Sequence, residues 1–519
     1  MDQALTRHHL QAERALDIRG LFHFAEKQSH MNIVTPAEME EIDRTTIEDH
    51  GLNSLVLMEN AARSTISYLP EGKVGVLVGP GNNGGDGLVI ARVLVEQGRS
   101  VEVLLLSEKR STDAEANLQL AKNWGVPCRH FLEGDKEEKA LQFLADKHLV
   151  IDALFGTGLT RELEGRWKRL VEIVNGSSAS IMAVDIPSGI NGTDGQVLGT
   201  AIRAHLTVTF GCLKRGHLLM PGRDHCGQVR LTQPGFHPDA LHRFDQVQLM
   251  NRDLARVTLP KVWPTMHKGD NGRLLMVTGS SKYPGAGILS TLGALNAGTG
   301  LLTHSWPPEL NQTLLQWAPE AMPTPRNHPI EWESYNAAVV GSGLGPDSQT
   351  LGLQALLDCP LPMVVDADAL TFVKERDQSK RDNLVLTPHP GELSKLTNRP
   401  VKELEENRID AAIEAARQWN CVVCFKGAPT VTASPNGKVY INGSGNPVLA
   451  QGGTGDVLAG VIGSYLAYGL PPLQAAACGA FIHGLSADLA LQRVGPRGAT
   501  AHRIAELVPF AYAEIVGKP

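Results

Sequence analysis

Long apolar runs are missing from this chain: no stretch approaches the roughly twenty residues that a membrane-spanning helix needs, so no such segment is expected. Cysteine is scarce as well, with seven residues in 519 and no regular framework. An odd, scattered set of this kind points to a reducing compartment rather than a disulfide scaffold. The tightest pair, Cys421 and Cys424, lies in the run CVVCF, which reads as a strand. Residues three apart on a strand face opposite sides, which argues for buried thiols and against joint metal binding. An excess of positive charge is also absent: 48 Lys and Arg stand against 55 Asp and Glu, a net charge of -7. This gives no broad attraction to nucleic acid or to an anionic membrane, while leaving room for local basic pockets around a phosphate. The first thirty residues lack the apolar core of a secretory signal and mix Arg7, Arg14 and Arg19 with Asp2, Glu13, Asp17 and Glu26. They read as a helical extension or an artefact of start-codon choice, with the fold beginning at Met31. A soluble, cytoplasmic protein is the expectation.

What is present is material for two cores. A chain of 519 residues, 42% hydrophobic and 20% charged, exceeds what one core supports and is too apolar for disorder. From Val74 onward short β-rich runs alternate with amphipathic ones: VGVLVG, LVIARVLVEQG, VEVLLL, AEANLQLAKNWG, HLVIDALFG, WKRLVEIVNG, SIMAVDIPSG. Strand and helix periods taking turns imply an α/β fold with a mainly parallel sheet, whose ligands sit beyond the carboxyl ends of strands. The rhythm breaks over residues 232–262, rich in proline, histidine and turn formers. A second alternating series then runs through RLLMVTG, LLTHSW, NAAVVGSGLG, PMVVDADAL, NLVLTPHPGEL and CVVCFKG. No repeat links the halves. The reading is two different α/β domains, 31–240 and 250–519.

In the first half, GPGNNGGDG (Gly79 to Gly87) follows a strand and opens a helix. Gly79, Gly81 and Gly84 match the dinucleotide fingerprint spacing, a weak signal by itself. Asp86 argues against an ordinary pyrophosphate loop, which wants only N–H donors and a helix dipole. Two further strand ends, IDALFGTGLTRE with Asp152 and AVDIPSG with Asp185 and Ser188, converge on the same edge. Asn83, Asp152 and Ser188 form the hard oxygen set that an alkali or alkaline-earth ion prefers, leaving Asp185 for the substrate. Any one of these residues reads equally as a cap or turn former; three such segments at successive strand ends read as a site.

In the second half, NPVLAQGGTGDVLAG (Asn446 to Gly460) is a glycine-rich turn running into an apolar helix. Backbone N–H groups of Gly453, Thr454 and Gly455 there can hold a transferring phosphoryl group, and Asp456 is placed to act as a general base. An isolated GTGD serves as well for capping and tight packing. Its context is Lys426 and Gly427 after one strand, His389 in TPHPGE after another, and Asp366 and Asp368 in VVDADAL after a third.

The three N-terminal motifs, in their order and spacing, resemble the N-terminal domain of the YjeF family, which epimerises hydrated NAD(P)H. The resemblance spans about Ile33 to Gln233. The C-terminal series HKG, PGAG, GSGLG, DADAL, TPHPGE, KGAPT and GGTGD resembles the ribokinase-like dehydratase domain of the same family, from about Asp253 onward. For the first half the resemblance implies that Asn82, Asn83, Gly84, Gly85 and Asp86 contact the hydrate. It implies the same for the turn Gly156, Thr157, Gly158, Leu159, Thr160, Arg161 and Glu162. Asn83, Asp152 and Ser188 would hold a potassium ion (K+), and Asp185 would be the catalytic group at the nicotinamide end. For the second half it places Ala286, Gly343 and Gly345, His389 and the catalytic Asp456 on the hydrated nucleotide. Lys426, Gly427, Ala428, Pro429, Thr430 and Gly455 would contact ADP or ATP, with Mg2+ neutralising the transferred phosphate. The implied substrates are NADHX and NADPHX, the hydrates of NADH and NADPH, and the family pattern implies a homo-oligomer. Two positions depart from the pattern: Gln451 stands where a smaller residue is common, and Ser342 where proline is usual in GPGLG.

Hydration creates a stereocentre, so damage yields two epimers, and an epimerase fused to a selective dehydratase lets both be repaired. Two other readings stay open on the residues alone. One is a ribokinase-type small-molecule kinase with a regulatory N-terminal module; the other is a non-catalytic N-terminal binding module.

Overall fold

A computed structural model of the chain describes residues 31–326, 328–345, 357–375 and 382–517. The helical extension read over residues 1–30 lies outside the described residues. The chain divides into two units, the first running from Met31 to Asp245 and the second beginning at Gln246.

The first unit is built on seven strands: β1 Val74–Val78, β2 Val101–Leu105, β3 Cys128–His130, β4 Leu149–Ala153, β5 Ser180–Val184, β6 Leu206–Phe210 and β7 Gln228–Thr232. Their order is β3-β2-β1-β4-β5-β6-β7, and every neighbouring pair is parallel. β1 and β4 are buried at every position, which explains why their sequences run apolar without alternation: both faces are covered. The strand order reverses between β1 and β4, and the crevice beyond their carboxyl ends is where such sheets take ligands. Helix α1, Asn82–Glu96, starts from that crevice. A separate parallel pairing of Ile33–Val34 with Leu213–Lys214 brings the helix Pro36–Arg44 toward the ends of β5 and β6.

The second unit holds ten strands: β8 Val247–Met250, β9 Arg273–Val277, β10 Leu301–Trp306, β11 Met322–Pro325, β12 Ala337–Val340, β13 Met363–Val365, β14 Leu384–Leu386, β15 Val422–Phe425, β16 Val431–Ala433 and β17 Val439–Asn442. Their order is β8-β17-β16-β15-β14-β13-β12-β9-β10-β11. Only the two pairings of β16 are antiparallel. Because β8 pairs with β17, the chain from Gln246 onward belongs to this sheet.

Helices α2 Pro284–Asn296, α3 Thr454–Tyr468, α4 Pro472–Val494 and α5 Ala501–Val516 contribute to the core of this unit. α3 is apolar nearly all round and accordingly almost wholly buried. Glycines set how closely it packs. A Cβ on Gly460 would stand 2.0 Å from the Ser290 carbonyl oxygen, and one on Gly463 2.2 Å from Val339 Cγ2. The middle of α3 is therefore seated closely against both α2 and the sheet. None of the seven cysteines forms a disulfide, and Cys421 and Cys424 are buried. Among the described residues no helix is long and apolar enough to cross a membrane.

Candidate active sites

In the first unit the turn after β1 is shaped by close backbone approach. A Cβ on Gly79 would fall 1.7 Å from the Leu154 carbonyl oxygen, and one on Gly84 2.3 Å from the Gly79 oxygen. Only glycine fits where the start of α1 presses on the ends of β1 and β4. Asn82 is exposed at the helix start, whereas Asn83 is buried and its Nδ2 has no hydrogen-bond partner among the described residues. Near the end of β4, Asp152 is fully buried. Its carboxylate accepts from Ser188 Oγ at 2.6 Å and from the Ser188 N–H at 2.8 Å. Burial pushes Asp152 up to about 6 despite these bonds, and no side-chain cation among the described residues pairs with it. The turn Gly156 to Glu162 borders this cluster: a Cβ on Gly156 would lie 3.6 Å from Asn83 Oδ1. Thr160, Arg161 and Glu162 are exposed, but the Leu159 side chain is turned into the core, so Leu159 offers a ligand its backbone only.

Asp185 follows β5 with φ at 65°, a left-handed conformation that costs a non-glycine residue of order 1–3 kcal/mol and persists only where surroundings enforce it. Here they do. Its N–H donates to the Val208 carbonyl at 2.8 Å, and its own carbonyl faces His217 Nε2 at 2.8 Å. Its Oδ1 accepts from Thr209 Oγ1 at 2.8 Å and from Lys214 Nζ. Burial favours the neutral acid, but the Lys214 ammonium outweighs it and holds Asp185 below its ordinary value. Burial, with the charges of Asp185 and Asp43, pushes Asp86 well above its own. Burial likewise takes Asp43 up to about 7.

In the second unit the site gathers at the carboxyl ends of β12 to β15 and the start of α3. Gly341 and Gly343 bring GSGLG against its neighbours: Cβ atoms there would stand 1.8 Å from the Asp366 carbonyl oxygen and 2.5 Å from Ala286 Cβ. The Gly345 N–H donates to Asp368 Oδ2 at 2.7 Å. Asp366 is buried and takes three donors: Thr387 Oγ1 at 2.7 Å, Ser342 Oγ at 2.9 Å and Lys426 Nζ at 2.9 Å. Burial lowers Lys426, but Asp366 and Glu392 outweigh it and raise its value overall. The same ammonium reaches α3, since a Cβ on Gly455 would lie only 3.4 Å from Lys426 Nζ. Burial and then the charge of Asp366 push Asp456, in the first turn of α3, up to about 7. His389 caps the helix Pro390–Thr397, its Nδ1 accepting from the Gly391 and Glu392 N–H groups, while its ring stays exposed.

The loop Gly427 to Thr430 is held from behind by Arg408, which is 2% exposed. Its guanidinium donates to the carbonyls of Phe425 at 3.2 Å, Lys426 at 2.9 Å and Pro429 at 3.1 Å, and lies over the Phe425 ring. A Cβ on Gly427 would meet it at 2.3 Å.

Comparison with known proteins agrees with this division. Residues 274–509 match the family model described as NAD(P)H-hydrate dehydratase, and residues 54–216 that described as YjeF-related protein N-terminus. The bifunctional NAD(P)H-hydrate repair enzyme of Thermofilum pendens is 37% identical over 508 residues, covering 93% of this chain and 96% of that one. Its counterpart in Escherichia coli is 34% identical over 432 residues, covering 82% of each. The chain belongs to the bifunctional NAD(P)H-hydrate repair enzymes. Its two halves accordingly supply an epimerase and a dehydratase acting on hydrated NAD(P)H. Among solved structures it is similar to the ADP/ATP-dependent NAD(P)H-hydrate dehydratase of Bacillus subtilis, co-crystallised with ATP and magnesium. That likeness has 31% identity and a TM-score of 0.47, covering 51% of this chain and 98% of that one.

For a repair enzyme, the arrangement adds residues that sequence reasoning passed over. Lys214, Thr209, His217 and Asp43 surround Asp185 and Asp86 in the epimerase half. Arg408, Thr387 and Glu392 support the loops of the dehydratase half. One signal was available: Lys214 is a lysine directly after the apolar run TVTFGCL.

Proposed function

We propose that the N-terminal site interconverts the R and S forms of hydrated NAD(P)H, with Asp185 at the nicotinamide ring. Asn82 to Asp86 and Gly156 to Glu162 would line the substrate, and Asn83, Asp152 and Ser188 would hold K+. The donor set supports the ion: a fully buried carboxylate with no side-chain cation beside it among the described residues, bonded to the Ser188 hydroxyl. Bound there, K+ would supply the positive charge that a buried Asp152 lacks.

In the C-terminal site the S form would lose water at the expense of ADP, releasing AMP and phosphate, with ATP able to serve. The nucleotide enters as its magnesium complex, on Lys426 to Thr430 and Gly455. Ala286, Gly343, Gly345, His389 and Asp456 would contact the hydrate. Asp456 removes the proton from the ring hydroxyl as that oxygen attacks the terminal phosphorus. The N–H groups at the start of α3 and the Lys426 ammonium stabilise the phosphoryl charge. Phosphate is a better leaving group than hydroxide; the ring nitrogen lone pair expels it, and loss of a proton from the adjacent ring carbon restores the dihydropyridine. The observation that carries this reading is the meeting of Lys426 with both Asp366 and the Gly455 turn beside Asp456. A cytoplasmic setting is supported by seven cysteines of which none forms a disulfide, and a homo-oligomer by the family pattern alone.

The test is recovery of reduced-nicotinamide absorbance from NADHX with magnesium, potassium and ADP or ATP. Nucleotide-dependent recovery of both epimers is expected. Recovery of about half, where spontaneous epimerisation is slow, would remove the N-terminal assignment. A stable phosphorylated hydrate would remove the elimination step.

A further inference from the structure

The epimerase half carries one ammonium among three carboxylates, and the way that ammonium is bonded divides them. Lys214 is 1% exposed. An ammonium has three donors, and all of them are used: Asp185 Oδ1, Thr209 Oγ1 at 2.9 Å and the Phe210 carbonyl at 3.1 Å. Thr209 closes the triangle by donating to the same Asp185 oxygen. The group is therefore fixed and has no donor left for a substrate. Asp185 is compensated by direct contact, whereas Asp86 takes no hydrogen bond from the described residues and feels Lys214 only at a distance, against Asp185 and Asp43. A single positive charge cannot hold three neighbouring carboxylates ionised, so a proton settles on those it does not touch.

The surrounding groups come from each packed element. Asp43 lies on the helix Pro36–Arg44, Asp86 on α1, and Lys214 and His217 on the segment after β6; Glu38, Glu40, Cys212 and Arg223 stand further out. His217 adds no charge. Its Nδ1 accepts the Lys214 N–H, so the ring proton sits on Nε2 facing the Asp185 carbonyl, and burial holds its value down at about 4.

We propose that Lys214 is a positioning residue that fixes Asp185 as the base of epimerisation and leaves Asp86 as its acid. This rests on Asp185 being at the reacting ring. The hydrate carries its hydroxyl on the carbon bonded to the ring nitrogen. Asp185 takes the hydroxyl proton, the carbon–oxygen bond becomes a carbonyl, and the carbon–nitrogen bond breaks with its electron pair going to nitrogen. Asp86 gives that nitrogen a proton. Rotation presents the other carbonyl face, and the reverse transfers close the ring as the opposite epimer, returning both carboxyls to their starting states. Two carboxyl groups whose surroundings push them in opposite directions are the arrangement such paired proton transfer needs.

The experiment uses the full chain without nucleotide, so that dehydration is silent, and follows conversion of one purified NADHX epimer to the other from pH 5 to 9. The native enzyme is expected to fall on the alkaline side as Asp86 ionises and to show no acid limb in this range, because Asp185, held below its ordinary value, stays ionised throughout. In Lys214→Met burial is no longer opposed and an acid limb enters the range, and Lys214→Arg removes most of it. Asp86→Asn lowers kcat at least 100-fold at every pH with KM little changed. The double variant Lys214→Met/Asp185→Asn is no slower than Asp185→Asn alone, because Lys214 acts only through Asp185. A native profile without an alkaline limb overturns the proposal even if Lys214→Met fails to fold. So does an unshifted Lys214→Met profile, an active Asp86→Asn, or a double variant slower than Asp185→Asn. Unchanged epimerisation in Asp185→Ala would instead remove the site reading on which the proposal rests.

Discussion

The hydroxyl of Ser342 donates to Asp366 Oδ2 at 2.9 Å. Its presence also favours the ionised form of the Asp456 carboxylate. Sequence comparison marks this serine as a departure, and the structure gives it work that a proline cannot do. Ser342→Ala is expected to raise the pH at which dehydration reaches half its maximum and to leave epimerisation unchanged. Parallel pH–rate profiles of both activities in the variant check this. An unmoved dehydratase profile would make the hydroxyl a bystander.

Asp456 itself sets the pH response of dehydration. Held at about 7 by burial and by Asp366, it acts as a base only when ionised. The rate should rise about tenfold per pH unit below 7 and level off above it. Asp456→Asn should cost about 10²- to 10⁴-fold in kcat. The stability effect has the opposite sign. A carboxyl raised above its ordinary value binds its proton more tightly in the folded state, so stability falls as pH rises through about 4 to 7. The Asn variant should therefore melt higher than the native protein at pH 8 and alike at low pH, where both are neutral. Melting curves at pH 4 and 8 separate these signs.

Arg408 satisfies three carbonyls of the strand end and loop that lead into Gly427 to Thr430. Removing a buried donor leaves each acceptor with a cost of about 1–3 kcal/mol. Arg408→Lys, which keeps the charge but not the planar fork, should raise KM for ADP about tenfold or more while leaving KM for the hydrate near the native value. A change confined to the hydrate KM would place the nucleotide elsewhere.

Potassium should stabilise the first unit. A ligand bound only to the folded state adds about 2.7 kcal/mol at about 100 times its Kd. Replacing sodium by potassium should therefore raise the melting temperature of the N-terminal transition. Asp152→Asn should abolish that increment, since it removes the charge the ion answers. Equal melting in both salts would count against the ion.

The alternation of short apolar runs with amphipathic ones made both parallel sheets legible, because strands covered on two faces cannot hide their composition. The Gly-rich and Asp-bearing motifs were legible for the same reason: they mark strand ends, and parallel strands bring all their carboxyl ends to one edge. Lys214, Asp43 and Arg408 were not. Their roles depend on side chains crossing between elements far apart in sequence, such as the 60 residues between Asp366 and Lys426 in the analogous pair of the other half, and local pattern carries no record of such crossings. Leu159 shows the converse. Its motif places it among candidate ligand contacts, yet its side chain serves the core, because an apolar residue inside a polar turn follows burial.

The full saturation of Lys214 bears on chemical durability. Acylating agents need a neutral, reachable amine, and this one is enclosed, charged and triply bonded. Lys426, at 18% side-chain exposure, is easier to reach, but Asp366 and Glu392 keep it charged as well. Reactive acyl donors would therefore spend themselves on exposed surface lysines before either half loses the charge its chemistry depends on.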